Sequence, residues 1–139
     1  MSGNRLLLDT NILIYLSKKE LNLEDFASEN DVLYISVITL MEAKGYLYSN
    51  IKEEIIIDEL CKNLIKVYIT DKVIDTVITL RKKHKIKLPD AIILSTAIEN
   101  DLKLITRNSK DFEAADSNNL VVNPFKNSWA VKNEKFHLE

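Results

Sequence analysis

The sequence predicts an α/β protein in which a parallel sheet carries helices on both faces. Short apolar runs have the length and continuity of strands buried on both sides: Leu6-Leu7-Leu8, Val32-Leu33-Tyr34-Ile35, residues 64–69, Leu102-Lys103-Leu104-Ile105 and Leu120-Val121-Val122. Segments of helical periodicity alternate with these runs along the chain, the pattern of crossover connections. Residues suited to cap a helix follow the first three runs closely: Asp9-Thr10, Ser36 and Asp71.

Composition narrows the choices. At 139 residues, with 46% hydrophobic and 29% charged side chains, the chain is a single domain with enough apolar material for a real core. Two Gly and two Pro exclude long flexible linkers, collagen-like repeats and glycine-rich phosphate loops. A formal net charge of −2 gives no general basic footprint, so contact with nucleic acid has to be local or bridged by a metal. Cys61 is the single cysteine, which rules out an intrachain disulfide, fits a reducing cytoplasm and reads as a buried helix residue. Asp9 interrupts the first apolar run and no stretch approaches the ~18–20 residues of a membrane span, so neither a signal peptide nor a membrane segment is expected.

Taken in order, the first strand leads into an apolar helix, Ile12-Leu13-Ile14-Tyr15-Leu16. A polar connection follows, with a short helix around residues 23–27. After the second strand Ser36 opens a helix running to about Tyr48, and residues 52–63 form the next, with Ile55, Ile56 and Leu60 inward. Asp71 caps a long helix whose Val73, Ile74, Val77, Ile78 and Leu80 form the buried stripe. That helix runs into Arg81-Lys82-Lys83-His84-Lys85-Ile86-Lys87, the densest positive stretch. Basic residues suit a helix C-terminus, and they also suit phosphate. Pro89 occupies the first turn of the helix begun by Leu88. Asn123-Pro124 turns the chain outward after the last strand, so that residues 1–125 make the domain and residues 126–139 a largely polar tail containing Trp129, Val131 and Phe136.

Four acids stand out against this frame. Asp9 ends a strand, where open α/β sheets bind ligands. Glu42 shares a helix face with Ile38, Thr39, Gly45 and Tyr46, a largely apolar setting for a carboxylate. Asp90 precedes Ile93, Leu94, Ala97 and Ile98 at helical spacing and crowns their apolar stripe. Asp111 follows the fourth strand. In a parallel sheet all four converge at one end, where they repel one another unless a cation intervenes. Oxygen-only ligation suits Mg²⁺ or Mn²⁺, and with His84 and His137 the only histidines there is no zinc-type cluster. A carboxylate-bound Mg²⁺ activates water and stabilises a phosphodiester under attack, with one ion or two. Asn11 and Thr106 fit as hydrogen-bonding supports for the carboxylates, and Arg81, Lys83 and Lys85 as holders of flanking phosphates.

At this point the sequence resembles the PIN-domain ribonucleases, and among them VapC-like toxins of type II VapBC toxin–antitoxin modules. The resemblance rests on Leu7-Leu8-Asp9-Thr10-Asn11, Ser36-Val37-Ile38-Thr39-Leu40-Met41-Glu42, Leu88-Pro89-Asp90-Ala91-Ile92-Ile93-Leu94 and Leu104-Ile105-Thr106-Arg107-Asn108-Ser109-Lys110-Asp111-Phe112, in the family's order. It implies a three-layer α/β/α fold with a central, mostly parallel five-stranded sheet. It also implies Mg²⁺- or Mn²⁺-dependent endonucleolytic cleavage of RNA, a homodimer, and an antitoxin whose tail occupies the active-site groove. Asp9, Glu42 and Asp90 match the family's three central acids. Many relatives carry the fourth acid where this chain has Asn108, so either Asp111, three residues on, or the Asn108 amide fills that place.

Two other readings compete. A phosphoacceptor receiver domain is also doubly wound, but it needs adjacent acids after the first strand, where this chain has Asp9-Thr10-Asn11. The alternative left open by Asn108 is a catalytically weak or inactive PIN fold kept as an RNA-binding or interaction module.

Overall fold

The computed structural model describes residues 3–126; of the expected tail 126–139, residues 127–139 lie outside them. The observed order is β1 (Arg5–Leu8), α1 (Thr10–Ser17), β2 (Val32–Ser36), α2 (Val37–Gly45), α3 (Ile51–Asn63), β3 (Ile65–Val67), α4 (Asp71–Lys83), α5 (Leu88–Asn100), β4 (Lys103–Ile105) and β5 (Val121–Val122). Short 3₁₀ turns at Leu23–Asp25, Ser109–Asp111 and Glu113–Ala115 punctuate the connections. The five strands form one sheet in the order β3-β2-β1-β4-β5, and every neighbouring pair is parallel. The three-layer α/β/α architecture expected of the sequence is the one observed.

β1 is the middle strand because its three leucines are apolar on both faces. Leu7 packs on one side with Val73, Val77, Leu80, Leu94, Leu104 and Phe112, which come largely from α4 and α5. Leu6 and Leu8 point the other way, against Ile12, Leu13, Phe26, Ile35 and Ile57. Each fully buried leucine contributes about 1.5–3 kcal/mol of apolar transfer, so the sheet is clamped through this strand. From β1 the chain winds outward through β2 to β3, then crosses to the other side for β4 and β5. The strand order therefore reverses between β1 and β4, and the crevice beyond their carboxyl ends is where such sheets place ligands.

Local sequence explains most boundaries. Asp9 caps α1 by accepting from the Thr10 amide, and Ser36 caps α2 by accepting from the Ile38 amide. Pro89 sits in the first turn of α5, as its missing amide proton allows.

Several expectations are corrected. Thr70, not Asp71, caps α4: its hydroxyl accepts from the Val73 amide, and Asp71 is the first helical residue. Val73, Val77 and Leu80 are buried on α4, but Ile74 and Ile78 remain 45% and 48% exposed, about 100° further round the helix. On α3 the fully buried residue is Ile57; Ile55 is exposed and Ile56 and Leu60 are half-buried. α2 stops at Gly45, because the Tyr48 hydroxyl donates to the Ala43 carbonyl and Tyr46 turns to extended backbone. β3 is short and its Ile65 exposed, as befits an edge strand. No helix among the described residues is long and apolar enough to cross a membrane.

Candidate active site

The carboxyl end of β1 and the carboxyl end of β4 are joined at the switch point. The Asp9 amide donates to the Ile105 carbonyl at 3.0 Å, and the Thr106 hydroxyl donates to Asp9 Oδ2 at 2.8 Å. Asn11 Nδ2 donates to the same Oδ2 at 3.1 Å, while Asp9 Oδ1 accepts the Thr10 amide at 2.8 Å. Asp9 is thus oriented on both oxygens and only 7% exposed. Asn11 also lies 3.3 Å from Thr106 Oγ1, and its Oδ1 accepts the Arg107 amide at 2.9 Å, which fixes the loop after β4.

Burial is the main reason the Asp9 carboxyl is held above the ordinary carboxylate range. The charge of Glu42 adds to the shift, and the hydrogen bonds from Thr106, Thr10 and Asn11 oppose it. Asp90, half-buried in the first turn of α5, is raised for the same leading reason, with further contributions from the charges of Asp9, Asp111 and Glu42; Lys87 works against them. Asp90 therefore lies within electrostatic reach of the other three acids.

Glu42 differs from its expected setting. It is exposed, and its carboxylate accepts the Thr10 hydroxyl at 2.6 Å, so the α2 face that carries it opens to solvent. Thr10 is a site neighbour that sequence reasoning passed over, although its place beside Asp9 at a helix start was the available signal. Lys87, read from the sequence only as part of the basic stretch, carries its charge to Asp90. Asp111 does not follow β4 directly: it ends the 3₁₀ turn Ser109–Asp111 and is exposed. The Asn108 amide donates to Thr106 Oγ1 at 3.1 Å, while its side chain is exposed.

Among the described residues no three His, Cys, Asp or Glu side chains lie close enough to grip one ion directly. The donor set is nevertheless all oxygen, and like charges accumulate around the buried Asp9 and the half-buried Asp90. That combination fits a hard divalent cation held by one or two carboxylates and completed by water. The basic stretch ends at Lys87, whose charge reaches Asp90. Arg81, Lys83 and Lys85 are exposed, and the Arg81 Nε donates to the Ile86 carbonyl at 3.3 Å, bracing the turn between α4 and α5.

This three-layer α/β/α architecture with a five-stranded parallel sheet is consistent with the fold of the PIN domains. The sequence model of that family matches residues 6–118, and the chain belongs to the PIN domain family. It is similar to a chain of a toxin–antitoxin complex from Klebsiella pneumoniae, with 35% identity over 87% of this chain and 98% of that one and a TM-score of 0.64. It is also similar to a chain of VapBC-1 from nontypeable Haemophilus influenzae, at 25% identity, 88% and 99% coverage and a TM-score of 0.68. VapBC2 from Rickettsia felis, bound to a DNA fragment from its promoter, shares the fold with a TM-score of 0.69 at 24% identity, over 86% of this chain and 98% of that one. A comparison with curated proteins finds no match.

Proposed function

We propose that the protein is a Mg²⁺- or Mn²⁺-dependent endoribonuclease that hydrolyses RNA phosphodiester bonds and is the toxin of a toxin–antitoxin pair. The observation that carries this reading is Asp9, buried at the switch point, oriented on both oxygens by Thr106, Asn11 and the Thr10 amide, and facing the charges of Glu42 and Asp90. An acid so arranged holds its lone pairs on a fixed bearing, at a cost in apo stability that a ligand cation removes.

Asp9 and Asp90 would hold the cation, with Glu42 and either Asp111 or Asn108 ordering its water. Bound there, the ion supplies an activated water and charge stabilisation for the phosphodiester under attack. The chain's own residues do the rest. Thr106 and Asn11 keep the Asp9 carboxylate from rotating. Thr10 does the same for Glu42. Arg81, Lys83 and Lys85 would bind phosphates flanking the cleaved bond. The toxin assignment rests on family membership and on the likeness to the Klebsiella pneumoniae toxin–antitoxin complex, and brings with it a cognate antitoxin and a homodimer in the cytoplasm.

Asn108, standing where many relatives carry an acid, supports a second reading, an RNA-binding PIN module without cleavage. Incubating the purified protein with total RNA and Mg²⁺ or Mn²⁺, and mapping product ends, separates the two. Discrete new ends that vanish in Asp9→Asn support the nuclease; RNA retention with no new ends supports the module.

A further inference from the structure

A second constellation borders the acidic rim and shares Asp111 and Asn108 with it, but its cations and aromatic ring have no role in holding the metal. The loop after β4 and the segment after β5 enclose a cleft of about 570 Å³, lined among others by Arg107, Lys110, Asp111, Phe125 and Lys126. Arg107 and Phe125 of its lining form a packed platform with Tyr15. The Arg107 guanidinium lies 4.3 Å from the ring centroid of Phe125 and 5.4 Å from that of Tyr15, and the two rings stand 5.0 Å apart at 57°. Arg107 also donates to the Tyr15 hydroxyl at 3.3 Å.

Asn123 braces both walls: its Nδ2 donates to the Arg107 carbonyl at 2.8 Å, and its Oδ1 accepts the Phe125 amide at 2.9 Å. On the other side the Arg107 amide is tied to Asn11, which also holds Asp9. The platform is therefore fixed relative to the acidic rim.

The lining of the cleft carries three cations, Arg107, Lys110 and Lys126, against one carboxylate, Asp111. Among the described residues no carboxylate comes within ion-pair range of Arg107, Lys110 or Lys126, whereas Lys44 is paired with Asp58. Yet Phe125 stays 37% exposed, an aromatic ring turned partly to water at the mouth of a cationic cleft. A braced guanidinium and an accessible aromatic ring, flanked by cations with no carboxylate in ion-pair range, are the chemistry that takes up unpaired nucleotides: a base stacks on the flat group and phosphates meet the cations. A peptide of acidic residues would satisfy the cations but leave the flat surface without a matching partner.

We propose that this cleft is a nucleotide subsite for single-stranded RNA, in which Phe125 and Arg107 stack one base while Lys110 and Lys126 hold its phosphates. It deepens the ribonuclease reading, on which its place in substrate selection rests: the stacked nucleotide would set which bond reaches the acids. Base-paired RNA, whose bases are already stacked on one another, would be excluded.

The test uses the full chain in EDTA, so that binding is read without cleavage. Single-stranded RNA decamers carry 2-aminopurine at one position in turn, and its fluorescence reports stacking. Quenching at one position is expected, absent from the same sequence as a duplex. Phe125→Leu should abolish the quench and weaken binding about tenfold. Lys110→Gln and Lys126→Gln, which leave the platform intact, should each lower the salt slope of binding by about one. Thermal melts verify folding, and the lysine variants decide the matter if Phe125→Leu does not fold. Quenching unchanged in Phe125→Leu, no quenched position at all, or a poly-glutamate decamer bound more tightly than RNA overturns the proposal. Cleavage of RNA in Mn²⁺ without any quench removes the subsite and leaves the nuclease; quenching without cleavage does the reverse.

Discussion

The hydroxyl of Thr106 donates a 2.8 Å hydrogen bond to Oδ2 of Asp9, joining residues 97 positions apart in the sequence at the point where the strand order reverses. Thr106 is fully buried, and its Oγ1 also meets the Asn11 amide and the Asn108 backbone. One small side chain therefore sets the bearing of the central acid and the path of the loop that follows β4.

Thr106→Val keeps the volume and removes these bonds. Cleavage should fall by about 10–100-fold, the scale associated with groups that orient metal-binding side chains. Stability should fall by about 1–3 kcal/mol, because a buried bond to a carboxylate is lost. Denaturant titration and initial rates on one RNA check both. Unchanged rates with lowered stability would reduce Thr106 to a packing residue.

Asp9→Asn should act in opposite directions on activity and on stability. Burial first, and the Glu42 charge after it, hold the Asp9 carboxyl above its ordinary range. The fold therefore favours the protonated form. The stability gained by protonation is complete below the ordinary carboxylate value and is lost as pH rises through the raised one. At neutral pH the metal-free Asp9→Asn protein should melt no lower than the parent while cleaving about a hundredfold less, or worse. Its advantage in Tm should shrink as the pH is lowered into the mildly acid range. A variant that loses stability at neutral pH would mean that the hydrogen bonds outweigh the burial.

Removing divalent metal should stop cleavage, and Mn²⁺ should restore it. The same addition should stabilise the fold by roughly 2–3 kcal/mol at a hundredfold excess over Kd, because only the folded chain gathers the acids. Asp90→Asn should lose most of that gain, since Asp90 feels Asp9, Asp111 and Glu42 together. Turnover in EDTA would contradict the mechanism.

Lys83→Ala with Lys85→Ala should flatten the salt dependence of RNA binding by about two in slope. Arg81 is a poorer probe, because its Nε braces the Ile86 carbonyl and its loss would disturb the turn itself. An unaltered slope would leave these lysines as favourable charge at the α4 C-terminus.

Much of this arrangement is legible in the chain because it sits where periodicity breaks. Leu6-Leu7-Leu8 stops at Asp9 and Leu104-Ile105 stops at Thr106, so strand ends and polar residues mark the rim together. The caps Asp9 and Ser36 follow from the same signal. Where one helix face shades into the next, the sequence is silent. Ile74 and Ile78 are as apolar as Val73 and Val77, and only the depth of the α4–α5 contact leaves them outside. The setting of Glu42 was misread for a related reason: its i±4 neighbours are apolar, but α2 ends at Gly45 and its outer face is uncovered. The Arg107 platform escaped notice because Tyr15, Arg107 and Phe125 meet only through tertiary folding.

In the proposed site Asp9 and Asp90 share one hard cation at the carboxyl end of the sheet. A crystal of the protein grown with Mn²⁺ and measured for anomalous scattering tests it most directly. A single strong peak, or a pair of peaks, within coordination reach of both carboxylates is the result expected. At saturating Mn²⁺, a map with no peak there, or with manganese bound only at other acids, would contradict it.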